Sequence, residues 1–278
     1  MKILFYTGFA LVAFAFNSIL CRLALGMNLI DAASFTTVRL ISGAIALTII
    51  YFIIGRKNAE SLKGNWPSAF FLFAYAICFS FAYNKLTAGL GALILFGCVQ
   101  ATMIIYALVK GEKPNVLEWL GLLVAVGGLV YLVSPGLTSP PVFSAVLMAL
   151  AGIAWGFYTL RGKGSANPIA DTAGNFVRSV PFVLLAALPF ISQLHYSRRG
   201  LLFAVISGAI TSGIGYAVWY AALKFHTATR AAILQLAVPV LTAIAAIFLL
   251  SEDINLRLIV SSLLILGGIG AAIIGRKK

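Results

Sequence analysis

Apolar residues fill this chain in long stretches, broken at short intervals by small polar or charged clusters. The stretches fall at about 3–25, 32–54, 66–84, 87–109, 116–134, 142–160, 171–193, 200–222, 228–250 and 256–275. Each is close to the ~20 residues that a helix needs to cross a hydrocarbon core. A spanning segment must satisfy its own backbone hydrogen bonds, and runs such as Leu129 to Val133 do not alternate as barrel strands would. The pattern therefore predicts an all-α integral membrane protein with ten transmembrane helices. The boundary near Asn84-Lys85 is the least sharply drawn.

The second half of the pattern repeats the first. Thr87-Ala88 recurs as Thr227-Ala228, Ala92 as Ala232, Thr102 as Thr242, Glu112 as Glu252, Asn115 as Asn255 and Gly127-Gly128 as Gly267-Gly268, all 140 residues apart. One residue closer, Ala15, Arg22 and Val38-Arg39 return as Ala154, Arg161 and Val177-Arg178. The expected organisation is one transmembrane domain made of two five-helix repeats, 1–134 and 142–278, joined through the proline-containing stretch Ser134 to Pro141. Five is odd, so the second copy enters the membrane from the opposite side, the inverted arrangement of many secondary transporters.

Composition agrees: 62% hydrophobic and 10% charged residues, against about 45–50% and about 25% in soluble domains. The net charge of +13 does not signal nucleic acid, because the basic residues punctuate the apolar runs instead of sharing one face. Placing both termini in the cytoplasm puts thirteen Lys and Arg on that side and five on the other, as the positive-inside rule requires. The expected location is an inner (plasma) membrane of bacterial type, with the first run retained as helix 1 because no cleavage site follows it. Cys21, Cys78 and Cys98 lie in or beside apolar runs without disulfide or zinc spacing, and no cofactor or metal is called for.

Polar residues inside spans are expensive and mark function. All seven acids fall at helix ends or in loops. The deepest charges are Arg39 and Arg178, about 10–12 Å along their helices from Asp31 and Asp171. They are read as snorkelling toward an interface, or pairing with a carbonyl, rather than touching a substrate. Ser212, Tyr216, Trp219 and Tyr220 share one helical face, and Tyr75, Phe79 and Tyr83 another. Trp155, Tyr158, Asn17, Ser18, Gln100 and Gln235 add mid-span polarity. Singly, each aromatic suits core packing. Together they fit a shared cavity for a small zwitterion or amphipathic molecule, since their polar tips need partners that lipid lacks. Pro239 should kink the ninth span. Gly213 and Gly215 could serve motion beside the aromatic face, and the two Gly-Gly pairs fit a tight scaffold seam or a homo-oligomer contact.

Two five-span repeats, each ending in an acid followed fifteen residues later by Gly-Gly, resemble the EamA-type branch of the drug/metabolite transporter superfamily. Ala154-Trp155-Gly156 and the stretch from Pro239 to Glu252 carry the resemblance, which spans essentially the whole chain. It implies a central cavity between helices 1, 3, 4, 6, 8 and 9, with helices 5 and 10 as support. Trp155, Tyr158, Tyr216, Trp219 and Tyr220 would line one wall, with Asn17, Tyr75, Tyr83 and Gln100 opposite, and Pro239 would be the family's proline in the ninth span. The first copy departs from the family at Val99, where a proline is usual, and at Phe16, where a tryptophan is usual.

These readings lead to an exporter of small metabolites, amino acids foremost, working by alternating access within the lipid bilayer. A proton-coupled drug or metabolite exporter of the same fold is the alternative, and a purely structural or regulatory membrane protein a remoter one. Mid-span carboxylates are missing, which favours a facilitator or exchanger, and so is a mid-membrane cluster of Lys or Arg, which favours neutral or zwitterionic cargo. An intramembrane enzyme would need an acid, base, nucleophile or metal in place, and the spans offer no His, Asp or Glu to build one.

Overall fold

The computed structural model describes residues 2–54, 62–109, 116–133, 140–226, 231, 234–235, 237–253 and 255–275. These residues form ten helices: α1 (Lys2–Gly26), α2 (Ala32–Ile54), α3 (Trp66–Tyr83), α4 (Ala88–Val109), α5 (Val116–Val133), α6 (Val142–Gly162), α7 (Pro168–Ala187), α8 (Arg198–Leu223), α9 (Ala237–Leu250) and α10 (Leu256–Ile274). A 3-10 turn, Leu188–Gln193, extends α7. Among the described residues the only β pairing is an isolated bridge between Ile30 and Tyr196. Seven of the helices are long and apolar enough to cross a membrane, while α5, α9 and α10 contain shorter apolar stretches. Glu112, Asn115, Thr227, Ala228, Ala232 and most of the joint at Ser134 to Pro141 lie outside the described residues.

Short polar side chains set where the helices begin. Asp31 accepts from Ser34 N at 2.8 Å at the start of α2, Asn65 from Ser68 N at 2.9 Å in α3, and Asn167 from Ala170 N at 3.2 Å in α7. Ser197 and Asn255 do the same for α8 and α10. Each satisfies a backbone N–H that the helix itself leaves open. The start of α4 is also capped from the other half of the chain: the Glu252 carboxylate accepts from Ala88 N at 2.7 Å and Gly89 N at 3.3 Å. Arg22 stands 3.8 Å from the same carboxylate. A negative charge at a helix N-terminus also complements the helix dipole.

The packing maps onto itself when each helix is exchanged for its counterpart in the other half. α3 packs on α6 and α7, as α8 packs on α1 and α2; α4 packs on α6, as α9 packs on α1. The self-equivalent pairs α2–α7, α4–α9 and α5–α10 also meet. The α5–α10 seam closes at Gly128, where a Cβ would come 2.7 Å from Leu264 Cβ, and at Gly268, where it would meet Gly121 O at 2.5 Å. One glycine of each pair thus serves an internal seam, whereas Gly127 and Gly267 face open space.

Two loop clamps close the ends of the bundle. Asp31 N donates to His195 O at 2.8 Å, His195 N donates to Asp31 Oδ2 at 2.9 Å, and Ser197 N reaches Leu29 O at 2.7 Å. The counterpart residue Asp171 accepts from Gly64 N at 3.2 Å, beside Asn65 N on Asn175 Oδ1 at 3.0 Å. Gly174 lets the chain pass here, because a Cβ on it would run into the Lys63 carbonyl.

The span read as a regular helix over 200–222 holds one surprise. Residues Ser207–Ile214 form a π-helical stretch, with Gly215 N bonded back to Ile210 O. Such wide turns are rare and concentrate at functional sites. Here the stretch presses α8 onto α2: a Cβ on Gly208 would collide with the Arg39 carbonyl and Ser42 Oγ.

Gly208→Ala should therefore lower stability by about 1–3 kcal/mol, the usual cost of overpacking. Gly127→Ala, facing open space, should stay within about 0.5 kcal/mol of the parent. Thermal unfolding of the two variants in detergent checks the contrast. For Asp31, burial pushes the carboxyl up, but hydrogen bonds from Ser34, His195 N and Ala33 outweigh it and hold the carboxyl below its usual 3.8. A depressed carboxyl contributes stability that is present above the unfolded value and lost as pH falls through the folded one. Asp31→Asn should thus melt below the parent at pH 7, and the gap should shrink as pH drops below 3.8.

Candidate functional site

The midpoints of α1, α2, α3, α6 and α8 converge on a group of buried rings and hydroxyls. Phe14 is its hub, edge-on to Trp155 at 5.5 Å, Tyr216 at 5.7 Å and Trp219 at 5.7 Å between ring centroids. Trp155 lies 4.5 Å from Tyr216 and 5.0 Å from Tyr75. Edge-to-face and offset contacts of this kind suit the ring quadrupole and fix each ring in place. The rings enclose a void of about 10 Å³, room for about one water molecule. Its walls are Phe14, Asn17 and Ser18 from α1, Tyr75 and Phe79 from α3, Leu95 and Phe96 from α4, with Trp155 and Tyr216.

Behind the phenols sits Arg39, 1% exposed. Its Nε donates to Ser212 Oγ at 3.0 Å, and its Nη2 donates to Tyr75 OH at 3.0 Å and Tyr216 OH at 2.8 Å. The guanidinium carbon also lies 5.1 Å from the Tyr75 ring centroid and 5.0 Å from that of Phe79. The expectation that Arg39 snorkels is overturned. Eight residues into its span, it points across the bundle, where hydroxyls on α3 and α8 receive it and Gly208 lets α8 approach. Its repeat counterpart Arg178 does pair with carbonyls, donating to Lys63 O at 2.8 Å and Gly174 O at 3.0 Å. The same residue type in equivalent positions thus does two jobs.

Asn17 joins the two halves from the other side. Its Nδ2 donates to Tyr75 OH at 3.1 Å, and its Oδ1 accepts from Ser207, from Thr211 at 3.2 Å and from Ser212 at 3.5 Å. Three of these partners stand on the π-helical stretch, whose wider turn brings their hydroxyls to one acceptor. Trp155 Nε1 donates to Gln235 Oε1 at 3.3 Å.

Of the residues singled out from sequence, Asn17, Ser18, Tyr75, Phe79, Trp155 and Tyr216 meet at the void, with Ser212 and Gln235 one hydrogen bond behind. The others are buried but stand apart from its walls. Tyr158 and Tyr220 pack tilted with ring centroids 5.5 Å apart, and Tyr220 OH donates to Tyr158 O. Tyr83 packs on Phe79 at 4.7 Å and donates to Ala88 O at 3.3 Å. Trp219 is sealed against Phe14, and Gln100 lies buried on α4. Gly213 and Gly215 fall at the end of the π-helical stretch, where a Cβ on Gly215 would sit 3.0 Å from Ala13 Cβ. The kink expected at Pro239 turns partly on residue 236, outside the described residues; Leu234 and Gln235 before it and Ala237–Leu250 after it are helical. Phe16, the counterpart of Trp155, faces outward at 42% exposure. The sequence reading missed Phe14, Ser207 and Thr211 and set Arg39 aside. Arg39's depth was the one signal that could have found it.

Comparison with known proteins fits this architecture. The model of the EamA-like transporter family matches twice, over residues 1–134 and 142–274. An uncharacterized protein of Pseudomonas aeruginosa is 47% identical over 268 residues, covering 96% of this chain and 93% of its own. An uncharacterized transporter of Bacillus subtilis is 22% identical over 256 residues, 88% of each chain. One solved crystal structure superposes with a TM-score of 0.65 at 18% identity, covering 95% of both chains, a likeness of fold alone. On the strength of a family match that takes in nearly every residue, once in each half, this chain belongs to the EamA-like transporter family and is a multi-span membrane transporter.

Proposed function

We propose that this transporter exports small metabolites, amino acids foremost, across an inner membrane by alternating access between its two halves, 1–134 and 142–278, arranged as inverted repeats. The observation that carries the reading is the ring-lined void. It takes Phe14, Asn17 and Tyr75 from one half and Trp155 and Tyr216 from the other, so relative motion of the halves opens or seals it. The positive-inside count supports N-terminus and C-terminus in the cytoplasm. In that orientation the Asp31–His195 clamp closes the outer end and the Asp171–Gly64 clamp the inner end. Both are made, and a void fit for about one water is too small for cargo. The structure then corresponds to a closed state between the two open ones.

The described acids support substrate-driven movement over proton coupling. Asp31, Asp171 and Glu252 hold helix ends through backbone N–H groups, away from the void. A proton-coupled exporter of drugs or other metabolites calls for a titratable carboxylate at the cavity.

Purified protein in liposomes, offered a panel of labelled amino acids with and without a pH gradient, should show uptake that a pH gradient does not drive. No flux for any amino acid sinks the cargo assignment, and strong gradient dependence sinks the facilitator assignment. Trp155→Ala combined with Tyr216→Ala should cut flux at least about 10-fold, since each removes a large apolar contact of the kind that dominates binding sites. Unchanged flux at normal expression refutes the assigned wall.

A further inference from the structure

Among the described residues, no acid balances the charge of Arg39. Among the described acids, Asp31, Asp171 and Glu252 are engaged at helix ends and Asp253 is exposed. The guanidinium is surrounded instead by neutral phenols, a serine and ring faces. Sealing a cation in such a place without a counter-charge is strongly unfavourable.

The hydrogen bonds point the same way, because donors outnumber acceptors. Arg39 Nη1 is fully buried and has no acceptor among the described residues. Both phenol oxygens accept from Arg39, and the two hydroxyls make one bond to each other at 3.2 Å. That bond uses one phenol proton. The second has no acceptor among the described residues. The one strong acceptor close by, Asn17 Oδ1, is already taken by three hydroxyls. Tyr75 and Tyr216 also form the wall of the void, so the surplus phenol proton lies at the edge of the space that cargo would enter, with Arg39 directly behind the two hydroxyls.

We infer that the transported molecule presents a carboxylate to this place, accepting from the Tyr75 and Tyr216 hydroxyls with Arg39 as its counter-charge, while its apolar part lies on Phe14 and Trp155. The inference rests on the transport reading above and assigns the chemistry of its cargo. One cation matches one negative charge, which fits a monocarboxylate better than a phosphate dianion. An amino acid meets the requirement through its α-carboxylate, and so does a simple carboxylic acid. The neutral cargo considered from sequence lacks the group that would satisfy Arg39.

The test compares molecules of one shape that differ in charge. Full-length protein in detergent is melted at pH 7.5 across titrations of phenylacetate, phenylacetamide and chloride. Phenylacetate should raise the melting temperature in a saturable way, and phenylacetamide and chloride should not. Arg39→Gln should weaken the phenylacetate response about 10- to 100-fold, the value of a charge-assisted hydrogen bond, with Arg39→Lys in between. Should Arg39→Gln fail to fold, Tyr75→Phe, which removes one hydroxyl and keeps the cation, should weaken the response on its own. The inference is overturned if phenylacetate has no effect, if the amide or chloride matches it, or if the folded variants respond like the parent. Proteoliposome flux of a neutral amino acid and its amide separates the two claims. Equal flux of both overturns the carboxylate and leaves transport standing. No flux of either, with phenylacetate still binding, overturns amino-acid export and leaves the carboxylate standing.

Discussion

In hydrocarbon there is no water to complete a hydrogen bond, and the rest of this structure follows from that constraint. It makes every span a helix. At the helix starts, Asp31, Asn65, Asn167, Ser197 and Asn255 accept from N–H groups that the helix itself leaves open. At α4 the local cap, Thr87 accepting from Leu90 N, is joined by one from the other half of the chain, Glu252. The same requirement, met at the centre of the bundle instead of its rim, produces the cluster of Arg39, Tyr75, Asn17, Ser212 and Tyr216.

That cluster links the halves differently from the surrounding scaffold. The α5–α10 seam is largely apolar and closes through glycines, giving close packing. The clamps at the two ends are backbone and carboxylate bonds, each joining one half to the other. Between them lies a set of hydroxyls able to exchange partners at little cost, since an oxygen released by one donor can turn to another. A transporter needs both qualities: a support that stays fixed and a centre whose bonds can be remade around cargo.

The repeat was legible from residue spacing, and the observed packing follows it, because equivalent residues at one offset favour equivalent packing. Asp31 and Asp171 illustrate this: both sit at a helix start and both clamp a loop from the other half. Equivalence failed where neighbours differ. Arg39 and Arg178 occupy matching positions, yet one meets hydroxyls across the bundle and the other meets the Lys63 carbonyl. Phe16 and Trp155 match as well, and one faces outward while the other lines the void. Sequence reading grouped the aromatics into helical faces. It could not tell Tyr216, at the void, from Tyr220, one turn on and sealed against Tyr158, because both share a helical stripe and differ only in depth.

By itself, the sequence determined that this is an all-helical membrane protein built of two copies of one unit, because span length, apolarity and repeat offset are properties of the chain taken in order. The tertiary structure alone decided which polar residues meet. The π-helical stretch at Ser207–Ile214, invisible in hydrophobic periodicity, brings three hydroxyls onto Asn17 and lets α8 close on α2. Its effect on Arg39 is decisive: a charge that in one dimension looks near enough to a span's end to reach water is, in three, surrounded by helices on every side. Burial belongs to the assembly of helices, and no single helix carries the information.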